Sequence, residues 1–235
     1  MIEYSQITHK ADKKTMGVVN GVSQFELDFS CLPTSSKFKE YFIETDASKF
    51  LSLDKSLLNR DITKGLKARR LKGANITDFI VFSPYLFGIK YIISSKFVGC
   101  LEDLEVSKSE YLLLPIELEG IIEEYKLLFI PWISDDKIDF ENSLIYPQFE
   151  QLNKNRNYIK VSNYEEYVTL KSENPFINFE KIVLKENLML NRDLFHLQAS
   201  PNTFFSKRLL NEIRKRNLTN ITEAKLQIHI NFEVS

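Results

Sequence analysis

A chain of 235 residues with 43% apolar and 27% charged side chains can bury a substantial core, and its length fits one large domain or two small ones. No apolar run approaches the roughly 20 residues of a membrane-spanning helix, and the N-terminal MIEYSQITHKADKK lacks the apolar stretch of a secretory signal, so the chain reads as cytoplasmic with no membrane attachment. The net charge of −1 hides opposed blocks: residues 37–96 carry 12 basic and 6 acidic side chains and residues 102–150 carry 3 and 13, an asymmetry that bears on partners rather than on fold.

Scarce glycine excludes more. Seven glycines and the absence of GxGxxG, GxxxxGK and GxSxG remove the commonest nucleotide cradles and nucleophile elbows. Cys31 and Cys100 form no CxxC and read as buried thiols, so no disulfide, metal or cofactor is expected.

In chain order, Asn20-Gly21 between Val18-Val19 and Val22 signals a hairpin turn. Phe25, Leu27 and Phe29 then alternate with acidic residues as a half-buried strand. LPTSSKFKEY reads as a loop, and Tyr41 to Leu58 fits strand or helix equally. In KGLKARRLKG, the basic residues Lys64, Lys67, Arg69, Arg70 and Lys72 form either a phosphate-contacting patch or a solvated helix end closed by Gly73. The run lacks aromatic residues for base stacking, which favours the helix end.

The region from Gly88 to Pro147 is the most legible. The apolar run Ile89 to Ile93 ends at Ser94-Ser95, where a serine N-cap opens a helix with Phe97, Val98, Leu101 and Leu104 on one face. YLLLPIEL places Leu112, Leu114, Ile116 and Leu118 on one side of a strand, Glu119-Gly120 offers a reversal, and Ile121 to Ile133 reads as a second long strand. Gln148 to Asn157 is a polar loop, and Ser162 with Glu165 fits a capping box for a short helix over about 163–171 that Asn174-Pro175 ends.

Ile177 to Leu184 and Leu194 to Leu197 read as strands. Ser206 then caps a helix with Leu209, Leu210 and Ile213 on its buried face, and the unbroken alternation from Lys225 to Val234 reads as a final strand. Matching Ser94 to Ser206 brings Phe97 onto Leu209, Leu101 onto Ile213 and Val106 onto Leu218, which reads either as an internal repeat or as convergence on the same device. The fold class is α+β: mainly antiparallel sheet, two amphipathic helices near 95–105 and 206–217, and the short third helix. Residues 1–75 form a strand-containing region, separate or integral, before an α+β unit over 76–235.

From Phe79 to Asn231 the chain resembles the immunity proteins of bacterial polymorphic toxin systems. DLFHL, FFSKRLLNEIRKRNLTNI and a closing strand are similar to that group's ending, and Ile138-Asp139-Phe140 to Ser143 is similar to its "iD...S" element. Asn217-Leu218-Thr219-Asn220 departs from the pattern by lacking the glycine usual in that turn. The resemblance implies an inhibitor with no reaction and no catalytic residues of its own, which binds a cognate toxin domain. Two other classes stand beside it. One is an enzyme using the carboxylates of Asp139 and Glu141. The other is a protein-binding or nucleic-acid-binding module, with nucleic acid disfavoured because the acidic segment would repel phosphates. His9, His196 and His229 lie in unrelated contexts, His229 on the polar side of a strand. If the toxin domain is basic, the candidate partner-binding residues are Glu102, Asp103 and Glu105 at the first helix's end, Glu123 and Glu124 in the strand, and Asp135 and Asp136 in a turn.

Overall fold

The computed structural model describes residues 3–46, 50–51, 58, 60–153, 155–185 and 192–232. The fold is α+β, with strand residues outnumbering helical ones, 33% against 25%. The N-terminal third holds β1 (Tyr4–Thr8), α1 (Lys13–Met16), β2 (Phe25–Asp28), α2 (Lys37–Phe42) and β3 (Lys67–Arg70). The middle holds β4 (Phe79–Ile80), β5 (Phe82–Ser83), β6 (Ile89–Ser94), α3 (Ser95–Asp103), β7 (Leu112–Pro115), β8 (Glu117–Leu118), β9 (Tyr125–Phe129), β10 (Trp132–Ile133) and β11 (Ile138–Pro147). The last third holds α4 (Tyr164–Glu173), β12 (Ile177–Leu184), β13 (Leu194–Leu197), β14 (Thr203–Ser206), α5 (Lys207–Lys215), β15 (Thr222–Glu223) and β16 (His229–Phe232).

The strands form four sheets stacked around a helical layer. The sheet β4-β6-β9-β7 is antiparallel throughout, whereas β5-β2-β3-β8, β10-β13-β14-β1-β15 and β11-β12-β16 each include parallel pairing. Ile92, Leu127 and Phe129 face a core shared with β2, β3 and α2, while Tyr91, Ile93 and Leu128 face the core around α3 and α5. Across that helical layer, β14 divides likewise: Phe205 packs towards the helices and Phe204 towards the core of β11, β12 and α4. Burial on both faces explains why YIIS, DLFHL and TFFS are apolar almost without alternation. β1 pairs with β14 and β15, which builds the N-terminal strand into the sheet beneath α5.

The two helical units are equivalent in detail. Asp78 stands just before β4, which pairs with β6 and leads into α3; Asp193 stands just before β13, which pairs with β14 and leads into α5. Ser94 donates its backbone N–H to Asp78 O (2.9 Å) and its hydroxyl to Asp78 Oδ1 (2.8 Å). Ser206 makes the same pair of bonds to Asp193 (2.7 and 2.6 Å). Each helix has nine residues and closes with a left-handed residue, Glu105 (φ 53°) or Asn217 (φ 54°). Their ends cross over: Glu110 Oε2 accepts the N–H groups of Asp193 and Leu194, and Thr219 donates its N–H to Asp78 Oδ2. Phe97 of α3 stacks on Phe205 beneath α5 at 5.9 Å.

Several expectations are corrected. Asn20 does make a turn, accepting from the Val22 and Ser23 N–H groups, but its flanks are not strands and Val19 and Val22 are exposed. LPTSSKFKEY runs into α2, whose Phe38 and Phe42 are buried one turn apart. The basic run is β3 rather than a helix end, and cross-strand pairs occupy Lys67 (Glu117, 2.9 Å) and Arg69 (Glu26, 2.5 Å). Cys31 is exposed; Cys100 is buried. YLLLPIEL splits after Pro115, so that β7 and β8 join different sheets, and the strand expected over 121–133 is β9 and β10 interrupted at Pro131. Ser94 gives α3 no side-chain cap, whereas Ser206, with the same bond to its aspartate, also accepts from Leu209 N–H at 3.1 Å. The α4 cap is Asn163, paired with Glu166, one residue beyond the expected Ser162 and Glu165. Among the described residues the final strand is His229–Phe232; Glu233 and Val234 lie outside the described residues, as does half of Tyr41 to Leu58.

Candidate partner-binding surface

The seven carboxylates fall in three places. Glu102, Asp103 and Glu105 stand exposed at the end of α3, where Asp103 is paired with Arg216 from the end of α5. Glu123 and Glu124 lie in the turn before β9 rather than in the strand, with Glu124 paired to Lys126. That turn enters Tyr125, the partner of Ser94, so it adjoins the start of α3; the helix's acidic end is about 13 Å further along its axis at 1.5 Å per residue. Asp136 pairs with Lys137 (3.0 Å) beside β11. Asp135 is 3% exposed, which removes it from any binding surface. Its carboxyl is pushed up to about 6 by burial, Lys171 Nζ stands 3.7 Å away, and Oδ1 has no hydrogen-bond partner.

The turn between β8 and β9 holds more than the charge count reveals. Glu119 donates its N–H to Ala68 O and Ile121 its N–H to Leu118 O, so the turn is tied to β3 and β8, and the Ile121 side chain packs on the core. Gly120 supplies the left-handed backbone at φ 74° that the reversal needs. Ile122 is left fully exposed, at 101%, among the exposed carboxylates of Glu119, Glu123 and Glu124. Among the described residues, Glu102, Glu105, Glu119 and Glu123 have no ion-pair partner. Sequence reasoning passed over Glu119 and Ile122 because Ile121-Ile122 looked like the start of a strand. The adjacent pair of isoleucines after a glycine was the available signal, since consecutive strand residues cannot both face one core.

Asp139 and Glu141 are not assembled as a catalytic pair. Asp139 is buried and accepts from the N–H (3.3 Å) and side-chain amide (2.6 Å) of Asn142, as a turn residue does; Glu141 is exposed. Behind them, His196 is buried, stacked on Trp132 at 5.3 Å and within 3.3 Å of Thr203 Oγ1, and burial pushes it down to about 3. Lys90 is the extra residue of a bulge between Ile89 and Tyr91, where burial lowers its amine to about 8. His229 is exposed, and His9 bonds Gly21 O. Among the described residues no three metal-ligating side chains converge, and no helix is long and apolar enough to cross a membrane. No protein-family model matches the chain, and comparison with curated proteins yields no match.

Proposed function

We propose that this protein is an immunity protein: it binds a cognate, basic toxin domain and blocks it through a protein interface, with no reaction of its own. The observation that carries the reading is the Leu118–Tyr125 turn, in which one fully exposed isoleucine stands among carboxylates on a backbone anchored to two strands. An exposed large apolar side chain within a polar rim suits a protein partner, and unpaired carboxylates steer a cationic one. Toxin domains that attack nucleic acid are cationic to hold their substrate, so carboxylates on an inhibitor compete for the same field. The strand, serine and helix units from which the resemblance was drawn are the two equivalent halves of the helical layer, which lends the resemblance a structural footing. The test is gel filtration of the protein with toxin domains encoded by neighbouring genes and, separately, with a polynucleotide. One toxin domain should co-elute and lose its activity; co-elution with the polynucleotide alone would overturn the reading.

A further inference from the structure

A cavity of about 390 Å³ lies where the start of β7, the end of β9 and β10 meet the residue preceding Asp193. Its apolar wall is formed by Leu112, Phe129, Pro131, Trp132 and Ile133, and its polar side by Lys108, Ser109, Tyr111 and Arg192. Among the described residues no carboxylate lines it. The larger cleft of about 1120 Å³ beside α5 is different in kind, because Asp12 and Glu223 stand among its cations and Glu223 pairs with Arg214 (2.5 Å).

Among the described residues neither cation of the smaller cavity makes an ion pair. Lys108 Nζ donates to the Tyr111 hydroxyl at 2.7 Å, a neutral acceptor that holds the ammonium at the rim without discharging it. Arg192 makes no ion pair among the described residues; its carbonyl accepts from Tyr4, and Glu110, whose carboxylate accepts two backbone N–H groups, interacts with it only at longer range. An apolar, partly aromatic slot of a few hundred Å³ with a small number of placed polar groups is the general form of a small-molecule site. Two lining cations without a direct acidic partner among the described residues favour an anion, and a guanidinium fork matches a planar carboxylate.

We propose that this cavity binds a small aromatic carboxylate, its ring against Phe129 and Trp132 and its carboxylate on Lys108 and Arg192. The site is independent of the acidic turn and of the toxin-binding reading.

Trp132 is the chain's single tryptophan, so its emission reports on this cavity. Titrating the full-length protein with benzoate should change that emission saturably, with a midpoint near about 1 mM or below. Benzamide, of the same shape but neutral, should bind at least about tenfold more weakly, the loss expected when a charge-assisted hydrogen bond is removed. Arg192→Gln and Lys108→Gln should each weaken benzoate about tenfold and benzamide by less, which narrows the gap between the two ligands. A response that rises linearly without saturating, equal affinity for benzoate and benzamide, or indifference to both substitutions would overturn the proposal. Lys108 is exposed, so its variant keeps the test available if the Arg192 variant does not fold.

Discussion

Asp135 and the two cap serines show how single residues settle questions that pattern leaves open. The Asp135 carboxyl is raised to about 6 by burial, against about 3.9 in an unfolded chain, so the native state holds its proton more tightly. Stability from this group is therefore complete below about pH 4 and is lost as pH rises through 6, by roughly 2–3 kcal/mol in all. Asp135→Asn should raise stability at pH 7.5 by about 2 kcal/mol and make little difference at pH 4. His196, lowered to about 3, acts with the opposite sign: its contribution is present above about 6.5 and is lost as pH falls towards 3. Urea midpoints of wild type and variant across that range isolate Asp135, because His196 is common to both. The serines differ in another observable. Ser206→Ala should cost about 1 kcal/mol and speed amide exchange at Leu209, whose N–H it caps. Ser94→Ala should cost a similar amount by leaving Asp78 Oδ1 without its donor, yet leave exchange in the first turn of α3 unchanged.

Elements were legible wherever a local pattern also met a partner. β12 and β13 have the expected bounds because Asn174-Pro175 and Asp193 stand before them, and β13 is buried throughout while β12 is buried at its C-terminal end. Lys225 to Val234 alternates without a break, yet among its described residues only His229–Phe232 forms a strand, paired in parallel with Lys181 to Leu184 of β12; alternation predicts a face, not how far a neighbour pairs with it. α2 escaped because its six residues include only Phe38 and Phe42 as buried positions, too short a period to stand out from LPTSSKFKEY. In the candidate surface, the acidity of the segment was readable but not the burial of Asp135, which depends on the distant Lys171 and the β13 to β14 connection. The Ser94 to Ser206 match was readable from spacing, and the crossing bonds from Glu110 and Thr219 show what spacing could not: the two units brace each other. Phe97 and Phe205, stacked across that junction, should each cost about 3–5 kcal/mol when replaced by Ala. The double variant should cost measurably less than the two together, because the rings share one contact; strict additivity in urea unfolding would show that the halves are energetically separate.

At the scale of the whole molecule, a charge near zero conceals a directional field, and the fold decides which parts of it a partner meets. Lys67, Arg69 and Lys126 are tied to Glu117, Glu26 and Glu124, which quiets the sheet edges around the Leu118–Tyr125 turn. Among the described residues Glu119 and Glu123 have no ion-pair partner on either side of Ile122, while the carboxylates at the end of α3 form a second acidic area partly answered by Arg216. If the turn is the contact with a cationic toxin domain, charge and apolar surface divide the kinetics. Carboxylates steer the encounter, so Glu119→Lys with Glu123→Lys should slow association at low salt by about tenfold or more, and the deficit should shrink as the screening length falls to about 8 Å at physiological ionic strength. Ile122 acts after contact, when its side chain leaves water, so Ile122→Asp should not slow association, to which its added charge contributes at low salt, and should speed dissociation by about tenfold or more. Ile122 touches no core in the free protein, and its replacement should leave the urea midpoint where it was. Reversing Glu102 and Glu105 at the other acidic area serves as the internal comparison: a larger effect there than at Glu119 and Glu123, with Ile122→Asp silent in dissociation, would move the interface from the turn to the end of α3.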